Sequence, residues 1–101
     1  MINVIASVHL KKGSFPEFIK IFKANIPAVL AEKGCVAYAP TVDVPTDLPP
    51  QVCDPDVVTI IEKWESLQDL KVHLTAPHML KYREKVSDMV EKVVLKILTE
   101  A

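Results

Sequence analysis

The residues best suited to chemistry lie in one stretch, Ile61-Glu62-Lys63-Trp64-Glu65-Ser66, followed by His73 and by Pro77-His78. Trp64 is the sole tryptophan. An indole at the end of a strand is either an ordinary packing aromatic or a wall for a flat aromatic ligand. His73 lies off the centre of its helix's leucine face, so it is neither core nor plainly solvent-facing. There it can bond to backbone as a boundary residue, or it can bind or deprotonate a ligand hydroxyl. His78 falls in the first turn of the next helix, where the dipole disfavours the imidazolium and a neutral ring can act as a base. A solvated residue at a helix start is the plainer reading of the same position. Arg83 sits at the rim of the Met79, Tyr82 and Val86 stripe, where it can meet an anionic ligand or snorkel along the core edge.

Other constellations are poor candidates. Glu62 and Glu65 lie three apart across a strand end, without the convergence across a cleft that paired-carboxylate chemistry needs. Cys35, near Tyr38, has no base adjacent in sequence and reads as a buried thiol. The three histidines, His9, His73 and His78, lack metal-ligand spacing, and no nearby Cys pair supplies ligands, so no metal is expected. With two glycines and no GxGxxG or GxxxxGK loop, a phosphate-cradling nucleotide fold is excluded. Twelve Lys and Arg against thirteen Asp and Glu give a net charge of −1 with no basic run, which speaks against nucleic acid as a partner. No apolar run approaches the roughly 20 residues of a membrane span. The start Met1-Ile2-Asn3-Val4-Ile5 does not read as a signal peptide, so a cytoplasmic location with free thiols at Cys35 and Cys53 is expected.

A chain of 101 residues must position these groups from one domain, spanning 1–101. Half of the residues are hydrophobic and a quarter charged, an ordinary globular balance. Ile2, Val4, Ala6, Val8 and Leu10 alternate with more polar neighbours and predict a strand over 2–10 with one buried face. Ser14 and Glu17 form a potential capping box, and Pro16 suits a first helical turn. The following helix places Phe15, Phe18, Ile19, Phe22, Ile26, Val29 and Leu30 on one stripe, has Pro27 on the far side, and stops at Gly34. A second strand is expected over 35–44 and a proline-rich loop over 45–56. Asp56 to Trp64 reads as a third strand, rich in Val, Ile and Thr. Ser66 and Asp69 resemble a second capping box, ahead of Leu67, Leu70 and Leu74 on one helical face. Pro77 opens another helix, with Met79, Tyr82, Val86, Met89 and Val90 on its stripe, and 92–99 closes the chain as a strand.

The order β-α-β-β-α-α-β predicts an α+β sandwich of the ferredoxin-like kind. Such a sheet carries its helices on one face. No element remains to cover the other, so a homodimer packed sheet against sheet is expected.

Several segments together resemble one known family. They are Met1-Ile2-x-Val4-Ile5-Ala6, Gly13, Gly34-Cys35-x-x-Tyr38-Ala39-Pro40, Ile61-Glu62-x-Trp64-Glu65-Ser66 and Leu70-x-x-His73-Leu74-x-x-Pro77-His78-Met79. Their order along essentially the whole chain is similar to that of the antibiotic-biosynthesis monooxygenases, especially small bacterial quinol monooxygenases. The resemblance implies a dimeric α/β-barrel with a pocket between sheet and helices in each subunit. It further implies oxidation of quinols or hydroxylated aromatics, with O₂ as co-substrate and without flavin, haem or metal. On this basis His73 or His78 supplies the base or hydrogen bond, Trp64 packs the substrate ring, and Tyr38 and Arg83 are candidate donors. One branch of the family degrades haem, but here Ala6 and Arg83 stand where that branch has Asn and His, so an axial ligand is missing. A binding dimer without chemistry, or a non-oxidative isomerase, would be compatible with the same fold.

Overall fold

Alternation in the first strand organises the sheet. In the computed structural model, which describes residues 1–101, β1 (Ile2–Leu10) buries Val4, Ala6, Val8 and Leu10. The remaining elements are α1 (Phe15–Leu30), β2 (Cys35–Thr41), β3 (Val57–Trp64), α2 (Leu67–Leu74), α3 (Pro77–Val86) and β4 (Val90–Leu98). The four strands are ordered β2-β3-β1-β4, and each neighbouring pair is antiparallel. This is the expected ferredoxin-like β-α-β-β-α-α-β sandwich, with the helices packed on the face that carries Val4, Val58 and Ile60. No helix is long and apolar enough to cross a membrane.

Two of the expected helix starts behave differently. Ser66 has an extended backbone, and its Oγ accepts from Asp69 N at 3.1 Å, forming the expected cap of α2. Ser14 makes no side-chain cap because its backbone is already helical, whereas a cap needs extended geometry to bring its hydroxyl over the first turn. On α1, Phe18, Phe22 and Val29 form the buried stripe, while Leu30, expected on it, is half exposed. Pro27 stays exposed, on the far side from the core. The third helix ends at Val86, so Met89 lies in the following turn and Val90 begins β4 rather than extending the helical stripe.

β2 is shorter than expected, and irregular chain runs from 42 to 56. Gln51 holds this loop, donating from Nε2 to Val44 O at 2.6 Å and accepting from Thr46 N at 3.0 Å. A register shift between Cys35 and Ala37 makes Val36 an extra residue in β2. Without it, strict alternation from Cys35 would put Tyr38 on the outer face. With it, Tyr38 pairs with Glu62 and is buried on the helix side.

The turn between α1 and β2 depends on Gly34, whose φ of +81° is in the left-handed region. A Cβ there would also collide with the Asp69 side chain, in the first turn of α2. Gly34 O accepts from Glu65 N at 2.8 Å, tying this turn to the end of β3. Gly34→Ala should therefore destabilise the fold by at least about 1–3 kcal/mol. Urea or thermal unfolding measures this, and an unchanged midpoint would show that the turn relaxes freely.

Candidate functional site

Between the helix side of the sheet and the three helices lies a cavity of about 410 Å³, within the roughly 300–1,000 Å³ common for small-molecule sites. Its wall is largely apolar and includes Val8, Phe22, Ile60, Met79, Val86 and Leu95. An aromatic group closes one side. Phe22 stacks on Tyr38 with centroids 5.3 Å apart, and Tyr82 meets Phe22 edge-on at 5.8 Å. The polar groups of the wall include Tyr38, Glu62, His73, Tyr82 and Arg83.

His73 faces this cavity from α2 and is almost completely buried. Its Nδ1 is 2.7 Å from Glu32 Oε2, while His78 Nε2 lies 3.0 Å from the same oxygen. A carboxylate only accepts, so the proton of each ring sits on the nitrogen facing Glu32. For His73 that leaves Nε2 as the acceptor nitrogen; it makes no hydrogen bond and, since no fully buried polar atom is left unpaired, stays open to the cavity that His73 lines. Burial lowers the His73 pKa, against the opposing hydrogen bond and charge of Glu32, which keeps the ring neutral near pH 7.

The structure thus brings His73 and His78 together through Glu32, at the turn after α1, which sequence inspection did not single out. His78 does not line the main cavity. It lies on a separate, polar groove between α1 and α3 that Lys20, Lys81 and Lys85 border. His9 is elsewhere, on the outer face of β1 opposite Val57. The nitrogens of His73 and His78 and the Glu32 oxygen lie within 4.8 Å of one another, a donor set able to hold a divalent ion. Spacing along the chain therefore does not decide the metal question, because the third donor comes from a distant turn.

Trp64 has a different place from that expected of a ligand wall. It is fully buried and lies behind the cavity lining. Its ring packs on His73 with centroids 4.7 Å apart, and its Nε1–H donates to Glu62 Oε1 at 3.0 Å. Trp64 therefore orients two polar groups of the cavity rather than walling it. Arg83 reaches the rim, where its guanidinium donates to Leu74 O at the end of α2. Burial raises the pKa of Tyr38 and Tyr82 far above the usual phenol range, so both remain neutral hydroxyl donors. Burial also raises the Cys35 pKa, with Glu32 and Glu62 adding to the effect, consistent with an inert thiol.

Glu62 is the group that sequence inspection set aside, and it lies in the wall at 6% exposure. Burial raises its carboxyl pKa, the Trp64 hydrogen bond opposes that, and Glu32 adds to the rise. Its strand parity was the available signal: Glu62 falls in step with Val58, Ile60 and Trp64, so a buried face carries one acid. Glu65, by contrast, is exposed beyond the end of β3.

The chain matches the family described as Antibiotic biosynthesis monooxygenase over residues 1–85. It is 38% identical to a relative from Escherichia coli K12 named "Probable quinol monooxygenase YgiN", covering 97% of this chain and 96% of the relative. Its fold is similar to that of a conserved protein from Methanosarcina mazei Go1, at a TM-score of 0.84 and 23% identity, covering 99% and 92% of the two chains. A protein from Nitrosomonas europaea gives a TM-score of 0.83 at 19% identity, covering 99% and 98%. At these identities the two structures speak to the fold alone.

The two displaced pKa values give opposite pH signatures. Between its lowered native value and about 6.5, His73 is protonated only in the unfolded chain, so its contribution to stability is lost as pH falls through that window. Between about 4.5 and its raised native value, Glu62 is protonated only in the native state, so its contribution is lost as pH rises. Relative to the parent protein, His73→Gln should gain in Tm as pH falls from about 7 to 5.5, and Glu62→Gln should gain as pH rises from about 4 to 7. Thermal melts across pH read both, and parallel curves for either variant would contradict the corresponding assignment.

Proposed function

The chain belongs to the antibiotic biosynthesis monooxygenase family, and on that premise we propose that it oxidises a quinol or related hydroxylated aromatic with O₂, without flavin, haem or metal. The observation that carries this reading is the free Nε2 of a neutral His73 facing an apolar, aromatic-lined cavity. A phenolic hydroxyl has a pKa of about 10 in water. Removing its proton makes the ring a far better electron donor to O₂. The chemistry then needs an acceptor at the hydroxyl, donors for the resulting oxyanion, and a dry space. His73 accepts the proton, and Glu32 fixes its tautomer and stabilises the imidazolium that forms. Tyr38, Tyr82 and Arg83 are the available donors. For a quinol, two electrons pass to O₂ to give quinone and hydrogen peroxide; when one oxygen atom enters the ring, four electrons pass to O₂ and the products are hydroxyquinone and water.

His78 acts at one remove in this scheme, by sharing the Glu32 oxygen. The relative from Escherichia coli, whose name contains quinol monooxygenase, supports a quinol as the substrate class.

The proposed active form is a homodimer in the cytoplasm. The chain exposes 6680 Å², against roughly 5,700 Å² expected for a monomer of this mass. The surplus includes an apolar patch on the outer sheet face, where Ile61 is 47% exposed, Val94 46% and Leu98 42%. A second copy packed on that face would remove these side chains from water.

Oxygen uptake by metal-free, cofactor-free protein given a reduced naphthoquinol, against a no-protein blank, tests the reading. Uptake well above autoxidation is expected. His73→Ala should slow it about 10²–10⁴-fold, the usual worth of a general base. His78→Ala should slow it less, because it leaves the His73–Glu32 bond in place. No uptake above the blank across several quinols would end the proposal in favour of a binding dimer. Turnover under strict anaerobic conditions would instead mark a non-oxidative enzyme.

A further inference from the structure

We propose that Glu62 is a second catalytic proton acceptor, which takes the proton of one hydroxyl of the quinol while His73 takes that of the other. This rests on the oxidase reading above and adds a residue to its chemistry. A buried carboxylate is costly to keep and seldom retained without a partner. Glu62 has half of one: Oε1 accepts from Trp64 Nε1, while Oε2 makes no hydrogen bond and, since no fully buried polar atom is left unpaired, is not sealed off from the space that Glu62 lines. The side chain forms part of the cavity wall from the sheet, while His73 forms part of it from α2. One ligand in that space meets an acceptor from each layer.

A monophenol needs one proton removed before its ring donates electrons, and His73 alone serves it. A dihydroxy aromatic must release two protons on its way to a quinone. In the proposed step the O–H bond of one hydroxyl breaks and its proton passes to Glu62, while His73 takes the proton of the other. Two electrons pass from the ring to O₂, and the two protons follow from Glu62 and His73 to give hydrogen peroxide. Both bases return to their starting state, so atoms and electrons balance with O₂ as the only oxidant.

The groups that face Glu62 favour this role. Tyr38 and Cys35 lie beside it on β2, Glu32 beyond the end of α1, and Tyr82 and Arg83 on α3, with His73 on α2. The tyrosines are neutral donors, and only Arg83 carries a positive charge, at the rim. No cation is paired with Glu62, so its basicity is not quenched by a salt bridge.

Glu62→Gln is a close isostere, and its amide oxygen can still accept from Trp64 Nε1, so the variant is expected to fold. Two readouts keep this inference separate from the oxidase reading. The first is the pH profile of O₂ uptake with 1,4-naphthohydroquinone. Glu62→Gln should fall about 10²–10⁴-fold and lose one acid-side step of kcat/KM, while the step due to His73 remains. The second is anaerobic binding of the same hydroquinone and of 1-naphthol, followed by the fluorescence of Trp64. There Glu62→Gln should weaken the hydroquinone more than tenfold and leave 1-naphthol within about threefold of the parent.

Turnover in the parent, with Glu62→Gln within threefold of it in both readouts, overturns the role of Glu62 and leaves the oxidase reading intact. Absent turnover in the parent, with hydroquinone binding still sensitive to Glu62→Gln, overturns the oxidase reading and retains Glu62 as the hydroxyl acceptor. Equal loss of both ligands in the variant overturns the assignment of Glu62 to the second hydroxyl.

Discussion

The carboxylate of Glu32 stands where three separate parts of the chain meet. Its Oε2 accepts from His73 of α2 at 2.7 Å and from His78 of α3 at 3.0 Å, while Glu32 itself lies in the turn that leads from α1 into β2. A buried N–H without an acceptor costs about 1–3 kcal/mol, so this oxygen allows a histidine to sit almost fully buried against Trp64. It also decides which nitrogen of His73 carries the proton, and therefore that the other can accept one. The turn that presents Glu32 is possible because Gly34 adopts a left-handed backbone where the Asp69 side chain leaves no room for a Cβ.

From that point a continuous set of contacts runs to the sheet. His73 packs on Trp64, and Trp64 donates to Glu62 on the buried face of β3. One indole thus steadies an acceptor on each side of the cavity without lining it. The tyrosines add neutral hydroxyls, because burial keeps their phenolic protons in place. The remaining wall is apolar, which strengthens the few polar interactions it surrounds. Such an enclosure suits a reaction in which an aromatic hydroxyl loses a proton and the ring then loses electrons.

The sheet has the asymmetry that this fold imposes. Its helix side forms the core and cavity, yet at the β4 edge Val93, Leu95 and Ile97 of that side are exposed, as are Val94 and Leu98 of the outer side. Leu95 belongs to the cavity wall and yet is 46% exposed, so the cavity is open along the β4 side. An edge strand with apolar residues on both faces is a liability for an isolated chain. Association through this region would relieve it and narrow the opening together.

Local pattern in the sequence determined much of the architecture: the alternation of β1, the apolar stripe of α1, the cap at Ser66, the break at Pro77 and the strand order along the chain. These features depend on neighbours within a few residues, where periodicity and backbone preference act directly. His73, Tyr38 and Arg83 were also legible as candidates from residue type, and all three reach the cavity wall. Trp64 was legible as important, but its position behind the wall was not. The parity of Glu62 with Val58, Ile60 and Trp64 already placed it on the buried face, but the tertiary structure alone decided that Val36 would be an extra residue turning Tyr38 inward and that Glu32 would join two histidines 41 and 46 residues away. Each of these depends on register between strands or on where a turn brings two helices. Such choices are settled by long-range packing and hydrogen-bond satisfaction, and no short window of sequence encodes them.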